Sequence, residues 1–117
     1  YPFIITSDFE NLTKTKEVKT VLQTLGFKDE LKRSLLKKVR AGLGTMRGRR
    51  YQRKKGILLV VSDTCSLQKS ASNLAGIDIV PVSSLNAEVL APGAMPGRVT
   101  LMTEKAVDVL TEKKLFM

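Results

Sequence analysis

The run Ile57-Leu58-Leu59-Val60-Val61 constrains this chain more than any other feature. In an extended backbone, five consecutive aliphatic residues present side chains to both faces of a sheet, so both faces must be covered. Strands buried on both sides belong to parallel sheets flanked by helices. An antiparallel strand with one wet face alternates apolar with polar residues instead. The run therefore predicts a central strand with helices above and below it.

The remaining pattern supplies the other elements. Phe3-Ile4-Ile5, closed by Thr6-Ser7-Asp8, reads as a short buried strand. Val18, Val21, Leu22 and Leu25 recur at helical spacing and form one apolar face, with Gly26 where a helix-ending glycine belongs. A second helix is expected from about Asp29, with Leu31, Leu35, Leu36 and Val39 inward. Its acidic start (Asp29, Glu30) and basic end (Lys37, Lys38, Arg40) suit the helix dipole. Ser62 or Asp63 is expected to cap a helix that turns Leu67, Ala71 and Leu74 inward and stops at Gly76. Residues 77–82 form a third strand. Pro81 inside it cannot donate to a ladder, which sends that strand to a sheet edge. A helical turn and a Pro/Gly loop follow, then a strand over residues 99–102. Thr103 caps a last helix with Ala106, Val107 and Leu110 inward. Strands and helices alternate throughout. That predicts one α/β domain over residues 1–117 with a parallel sheet and right-handed crossovers. The chain starts at Tyr1 rather than Met and opens directly on a strand-like run, so a piece of a longer protein is expected.

Charge is distributed unevenly. Lys37, Lys38, Arg40, Arg47, Arg49, Arg50, Arg53, Lys54 and Lys55 fall within nineteen residues that hold no Asp or Glu. The chain has 20 basic and 11 acidic residues, so outside this segment the two signs balance. A neutral body with one dense cationic segment is built to meet a polyanion. Between Ala41 and Gly56 the sequence shows no apolar period and contains Gly42, Gly44 and Gly48, so a basic loop insertion over about residues 40–56 is expected. Its arginines offer planar forks for phosphate. Its glycines allow close backbone approach to a folded RNA and freedom to order on contact. Tyr51 is available to stack on an exposed base. No apolar face accompanies these charges, which argues against a membrane surface, and no apolar run approaches the ~20 residues of a membrane span.

Catalytic readings fare worse. The chain has no histidine, so Ser-His and Cys-His nucleophile pairs are excluded. One cysteine and no histidine cannot supply a zinc site of the usual type or an internal disulfide, and a cytosolic setting is the natural reading. Cys65 lies near a helix start, a place that can activate a thiol, but it reads as a small buried residue. Gly42-Leu43-Gly44 follows a helix and runs into arginines, unlike a dinucleotide fingerprint between strand and helix. The polar strand ends Ser7-Asp8, Ser62-Asp63, Ser83-Ser84 and Thr103-Glu104 mark the edge where open α/β sheets bind ligands. They also suit caps for the helices that follow, and capping is the reading adopted.

At VRAGLGTMRGRRYQRKKG the chain resembles the large-subunit ribosomal protein four family, archaeal and eukaryotic type. KTKEVKTVLQTLG, SLQKSASNLAGIDIV, LNAEVLAPG and PGRVTLMTEKAV agree, in order, and the resemblance runs from about Phe3 to Leu110. It implies a structural, non-enzymatic constituent of the large subunit in the cytoplasmic ribosome. Its partners would be large-subunit rRNA and neighbouring ribosomal proteins, with no cofactor, metal, small-molecule substrate or membrane. It also implies a three-layer α/β/α sandwich with four parallel strands in the order 1-4-2-3, which agrees with Pro81 at an edge. The family's RNA-contacting segment carries over onto Arg40, Gly42, Gly44, Arg47, Arg49, Arg50 and Tyr51 to Lys55. Together with the flanking cations, the expected RNA-binding set is Lys37, Lys38, Arg40, Gly42, Gly44, Arg47, Gly48, Arg49, Arg50, Tyr51, Arg53, Lys54 and Lys55. Family members are about twice as long, and their first half carries a loop toward the peptide exit tunnel. Nothing here resembles that half, so a C-terminal portion is expected. The alternatives are a non-ribosomal RNA-binding regulatory module and a small doubly wound nucleotide-processing enzyme. The absence of histidine and of a phosphate loop opposes the second.

Overall fold

The aliphatic run becomes the middle of a parallel sheet. The computed structural model describes residues 2–116, so Tyr1 and Met117 lie outside the described residues. Along the chain run β1 (Phe3–Ile5), α1 (Thr15–Thr24), α2 (Lys28–Leu35), β2 (Lys37–Val39), β3 (Tyr51–Arg53), β4 (Leu58–Val61), α3 (Ser66–Ala71), β5 (Asp78–Pro81), α4 (Ala87–Leu90), β6 (Thr100–Thr103) and α5 (Glu104–Glu112). Short 3-10 turns occupy Ser7–Asn11, Val82–Ser84 and Pro92–Ala94. One sheet has the order β1-β6-β4-β5, with every neighbouring pair parallel. Leu59 stands between Leu101 of β6 and Ile79 of β5. Pro81 lies on the edge strand β5, as its missing N–H requires.

Alternation along β4 builds two cores. Ile57, Leu59 and Val61 pack with Val18 and Leu22 of α1, Leu67 and Ala71 of α3, and Leu101. Leu58 and Val60 pack with Val82 and Ala106 on the other side, joined by Val109 and Leu110 of α5. Each fully buried aliphatic side chain contributes about 1.5–3 kcal/mol, so this strand anchors the domain. Helix α1 closes as its sequence implies: Gly26 takes φ +93, Phe27 N–H donates to Leu22 O and Gly26 N–H to Gln23 O, each at 3.1 Å.

Besides β1, read as buried but with Phe3 and Ile4 48% and 60% exposed, two expectations are corrected. The second helix stops at Leu35, and of its expected inward residues only Leu31 is buried. Leu35, Leu36 and Val39 are 61%, 64% and 57% exposed. From Leu36 the backbone is extended, and β2 pairs antiparallel with β3 in the register Lys37↔Arg53, Lys38↔Gln52, Val39↔Tyr51. The basic segment is therefore a β-ribbon with a folded tip rather than an irregular loop. A helix would have set Lys37 and Arg40 one turn apart on one face. A strand divides these cations between two faces. The second correction concerns Ser62 and Asp63, neither of which caps α3. Cys65 holds that position without a side-chain bond, because Ser62 is engaged elsewhere.

Its partner is Glu10, a buried carboxylate on the first 3-10 turn. Ser62 N–H and Ser62 Oγ donate to it at 3.1 and 3.0 Å, and Thr103 Oγ1 donates at 2.6 Å. Thr103 Oγ1 also accepts from Ala106 N–H, which caps α5. Glu10 thus ties the first turn to the ends of β4 and β6. Burial alone would push its pKa up. The hydrogen bonds from Thr103 and Ser62, with the charge of Lys105, outweigh burial and hold it below the usual carboxylate value. A carboxylate with a depressed folded-state pKa adds stability above its unfolded pKa and loses it as pH falls through the folded value.

Replacing Glu10 with Gln is expected to cost about 1–3 kcal/mol in urea unfolding at neutral pH, because donors aimed at a charge lose it. The gap between variant and parent should close as pH is lowered past the ordinary carboxylate range near ~4. A gap independent of pH would contradict this account.

Candidate nucleic-acid interface

The nine cations gather on the ribbon formed by β2 and β3 and on the strand that leads from it into the sheet. All six residues of the two strands are exposed, and these strands pair only with each other. The ribbon stands out from the body. The radius of gyration is 15.3 Å and the longest extent 47 Å, against about 13 Å expected for a sphere-like chain of this length.

The tip is folded by its own backbone. Arg40 N–H donates to Arg50 O at 2.8 Å, which extends the ladder by one rung. Beyond it, Arg47 N–H reaches Leu43 O and Gly44 O at 3.2 Å, and Arg49 N–H reaches Gly44 O at 2.9 Å. Arg40 closes this turn from the side with Nε to Arg49 O at 3.1 Å. Its stem lies where a Cβ on Gly44 would come within 2.8 Å, so Gly44 serves the packing of Arg40. Gly42 and Gly48 take φ +82 and +78 at the ends of the turn. The folded tip projects Arg47, Arg49 and Arg50 into solvent.

Tyr51 sits among cations. Lys37 Nζ is 4.4 Å from its ring centroid and the Arg50 guanidinium carbon 5.7 Å. Such contacts hold a charged head in place without neutralising it. Lys55 differs from the rest, since it pairs with Asp78 at 2.9 Å. Among the described residues, no carboxylate pairs with Lys37, Lys38, Arg40, Arg47, Arg49, Arg50, Arg53 or Lys54.

A family model described as the ribosomal protein L4/L1 family matches residues 3–113. The chain belongs to this family. The large ribosomal subunit protein uL4 of Halobacterium salinarum is 42% identical over 114 residues, covering 97% of this chain and 46% of the relative. Proteins of the same name from Sulfolobus acidocaldarius and Haloquadratum walsbyi are 44% and 45% identical, over 96% of this chain and 43% and 45% of the relatives. The chain spans less than half the length of these relatives.

Within this family member, the foot of the ribbon depends on residues that the sequence reading passed over. Arg98, with a side chain only 4% exposed, donates to Gly56 O at 2.8 Å, Val89 O at 2.7 Å and Asp78 Oδ2 at 2.6 Å. Arg33 is paired with Glu30 and donates to Lys55 O at 2.7 Å. Burial would raise the pKa of Asp78, but the bonds from Lys55 and Arg98 and their charges hold it down. Arg33 bonding, with its charge, outweighs burial at Glu30 and likewise lowers its pKa. One signal was present in the sequence: Asp78 and Arg98 are lone charges flanking otherwise apolar strands.

Replacing Arg98 with Met is expected to destabilise the fold by about 2–3 kcal/mol in chemical unfolding. This is less than a fully buried pair would cost, since Asp78 keeps Lys55 and some water. Replacing Arg53, which is exposed and unpaired, should change stability by less than about 0.5 kcal/mol. Equal costs at the two positions would contradict the division between foot and arm.

Proposed function

We propose that this chain is a structural, non-enzymatic constituent of the large ribosomal subunit, held in the cytoplasmic ribosome, and that its β2–β3 arm binds large-subunit rRNA. Neighbouring ribosomal proteins are its other partners, and no cofactor, small-molecule substrate or membrane enters the reading. The observation that carries it is the set of eight cations on one arm without a carboxylate partner among the described residues. Relatives named as large-subunit proteins suggest which polyanion meets them.

The binding chemistry follows from the arm's shape. Arg47, Arg49 and Arg50 project planar forks that suit paired phosphate oxygens. Tyr51 steadies Lys37 and Arg50, and a base stacking on this ring would share it with Lys37. A double-stranded RNA surface is recognised by phosphate and shape more than by base edges, which suits an exposed cationic arm. The body is read as a single α/β domain with three layers in the order 1-4-2-3. Apolar cores on both sheet faces support this. So does the order β1-β6-β4-β5, which is first, fourth, second, third when the strands of that sheet alone are counted.

Binding to large-subunit rRNA should weaken steeply with salt. Each phosphate contact contributes a slope of about -0.7 to -0.9 in log K against log salt, hence roughly -4 for five contacts. A variant with Arg47, Arg49 and Arg50 changed to Ala should lose incorporation into large subunits on co-sedimentation and show a shallower slope. A variant with Lys113 and Lys114 changed to Ala should bind as the parent does. Equal losses would mean that total charge, rather than the arm, controls binding.

A further inference from the structure

A cleft of 680 Å³ opens between the foot of the arm and the loop over residues 92–99. Its size falls within the range of about 300–1,000 Å³ typical of ligand sites. Its two walls differ in chemistry. On the arm side stand Gln52 and Lys54, both exposed and neither paired with another side chain among the described residues, with Arg33 beside them. On the loop side Met95, 72% exposed, lies among prolines. Arg98 closes the cleft from within, engaged by its own three bonds. Glu30 also lines the cleft, but its charge is matched by Arg33.

The loop wall turns back on itself. Gly93, Ala94 and Gly97 take φ of 70, 60 and 95, all in the left-handed region, and Ala94 N–H donates to Ala91 O at 3.0 Å.

We propose that this cleft is a second RNA-contacting site, which takes one unpaired nucleotide beside the helix gripped by the arm. The inference rests on the reading of the arm as an RNA-binding element. An apolar wall accepts the face of a base. The Gln52 amide, donor and acceptor together, meets a base edge. Lys54 meets the adjoining phosphate. A base inside a duplex has its faces covered by stacking and its Watson–Crick edge taken by pairing, so the ligand is unstacked and single-stranded at that point. Arm and cleft share the strand from Gln52 to Lys54, so a chain bound along the arm is led past the cleft mouth.

The test is amide NMR titration of the 117-residue chain with two probes: a fully paired RNA duplex, and single-stranded octanucleotides of random sequence. The duplex should move signals of the arm tip and leave Met95 and Gly97 in place. The single strands should move Met95, Gly97 and the Gln52 side-chain amide as well. Met95→Ser should weaken single-strand binding severalfold by removing the apolar contact, while Met95→Leu and duplex binding stay unchanged. Single strands that move the tip but not Met95 and Gly97 would overturn the cleft and spare the arm. Failure of both probes to move the tip would overturn the arm reading and this inference with it.

Discussion

The structure depends on the passage of the chain through Gly56, where the charged arm becomes the central strand. Gly56 N–H donates to Gly76 O at 2.8 Å. A Cβ on Gly56 would meet Ser34 Cβ at 3.1 Å, and one on Gly76 would meet Lys54 O at 2.8 Å. The segments at Gly56 and Gly76 therefore run backbone against backbone with the Ser34 side chain beside them, and Arg98 and Arg33 hold the carbonyls of Gly56 and Lys55. Two residues later the chain enters β4, whose every side chain is buried. A strand locked into two cores cannot pivot, so the arm inherits its direction from the sheet.

That arrangement explains which parts were legible in the sequence. The five-residue aliphatic run specified a doubly covered strand because burial on both faces leaves no polar position. Pro81 and Gly26 were equally direct, each fixed by a local backbone rule with one outcome. The second helix misled because Leu35, Leu36 and Val39 keep helical spacing with no core to receive them. Their strand is set by a partner twelve or more residues away, beyond the reach of periodicity. The expected phosphate-binding cations do lie together, but the residues that aim them were not visible. Arg33, Asp78 and Arg98 act through bonds spanning twenty positions or more, or onto backbone carbonyls, and neither leaves a local pattern. Ser62 was assigned to a cap by the same local logic and instead serves Glu10, 52 positions away.

The cations divide into two kinds with different physics. Arg98 is buried, and an unpaired charge there would cost several kcal/mol, so it is fully bonded and serves the fold. The arm cations stay in water, where like charges 4 Å apart repel by only about 1 kcal/mol and salt screens the rest over about 8–10 Å. The register sets Lys37 opposite Arg53, and Tyr51 holds both Lys37 and Arg50 over its ring, so part of that repulsion is built into the ribbon. That surface lies on an element with no core of its own, and among the described residues eight of its cations have no carboxylate partner.

The location of that surface departs from the habit of parallel α/β sheets, which bind ligands beyond the carboxyl ends of their strands. Here the ends of β4 and β6 are bridged from within. Glu10 occupies the space above β4 and β6 with its carboxylate, taking the Ser62 N–H and the Ser62 and Thr103 hydroxyls that an anionic ligand would use. The arm enters at the opposite edge, just before Leu58, and the cleft lies among the residues leading into β4 and β6. Sheet twist and helix dipoles offer nothing special at that edge, so binding there must come from added side chains. Nine basic residues within nineteen positions are that addition. An internal carboxylate at one end of the sheet and a cationic arm at the other leave the body near neutral while the arm carries the surplus charge.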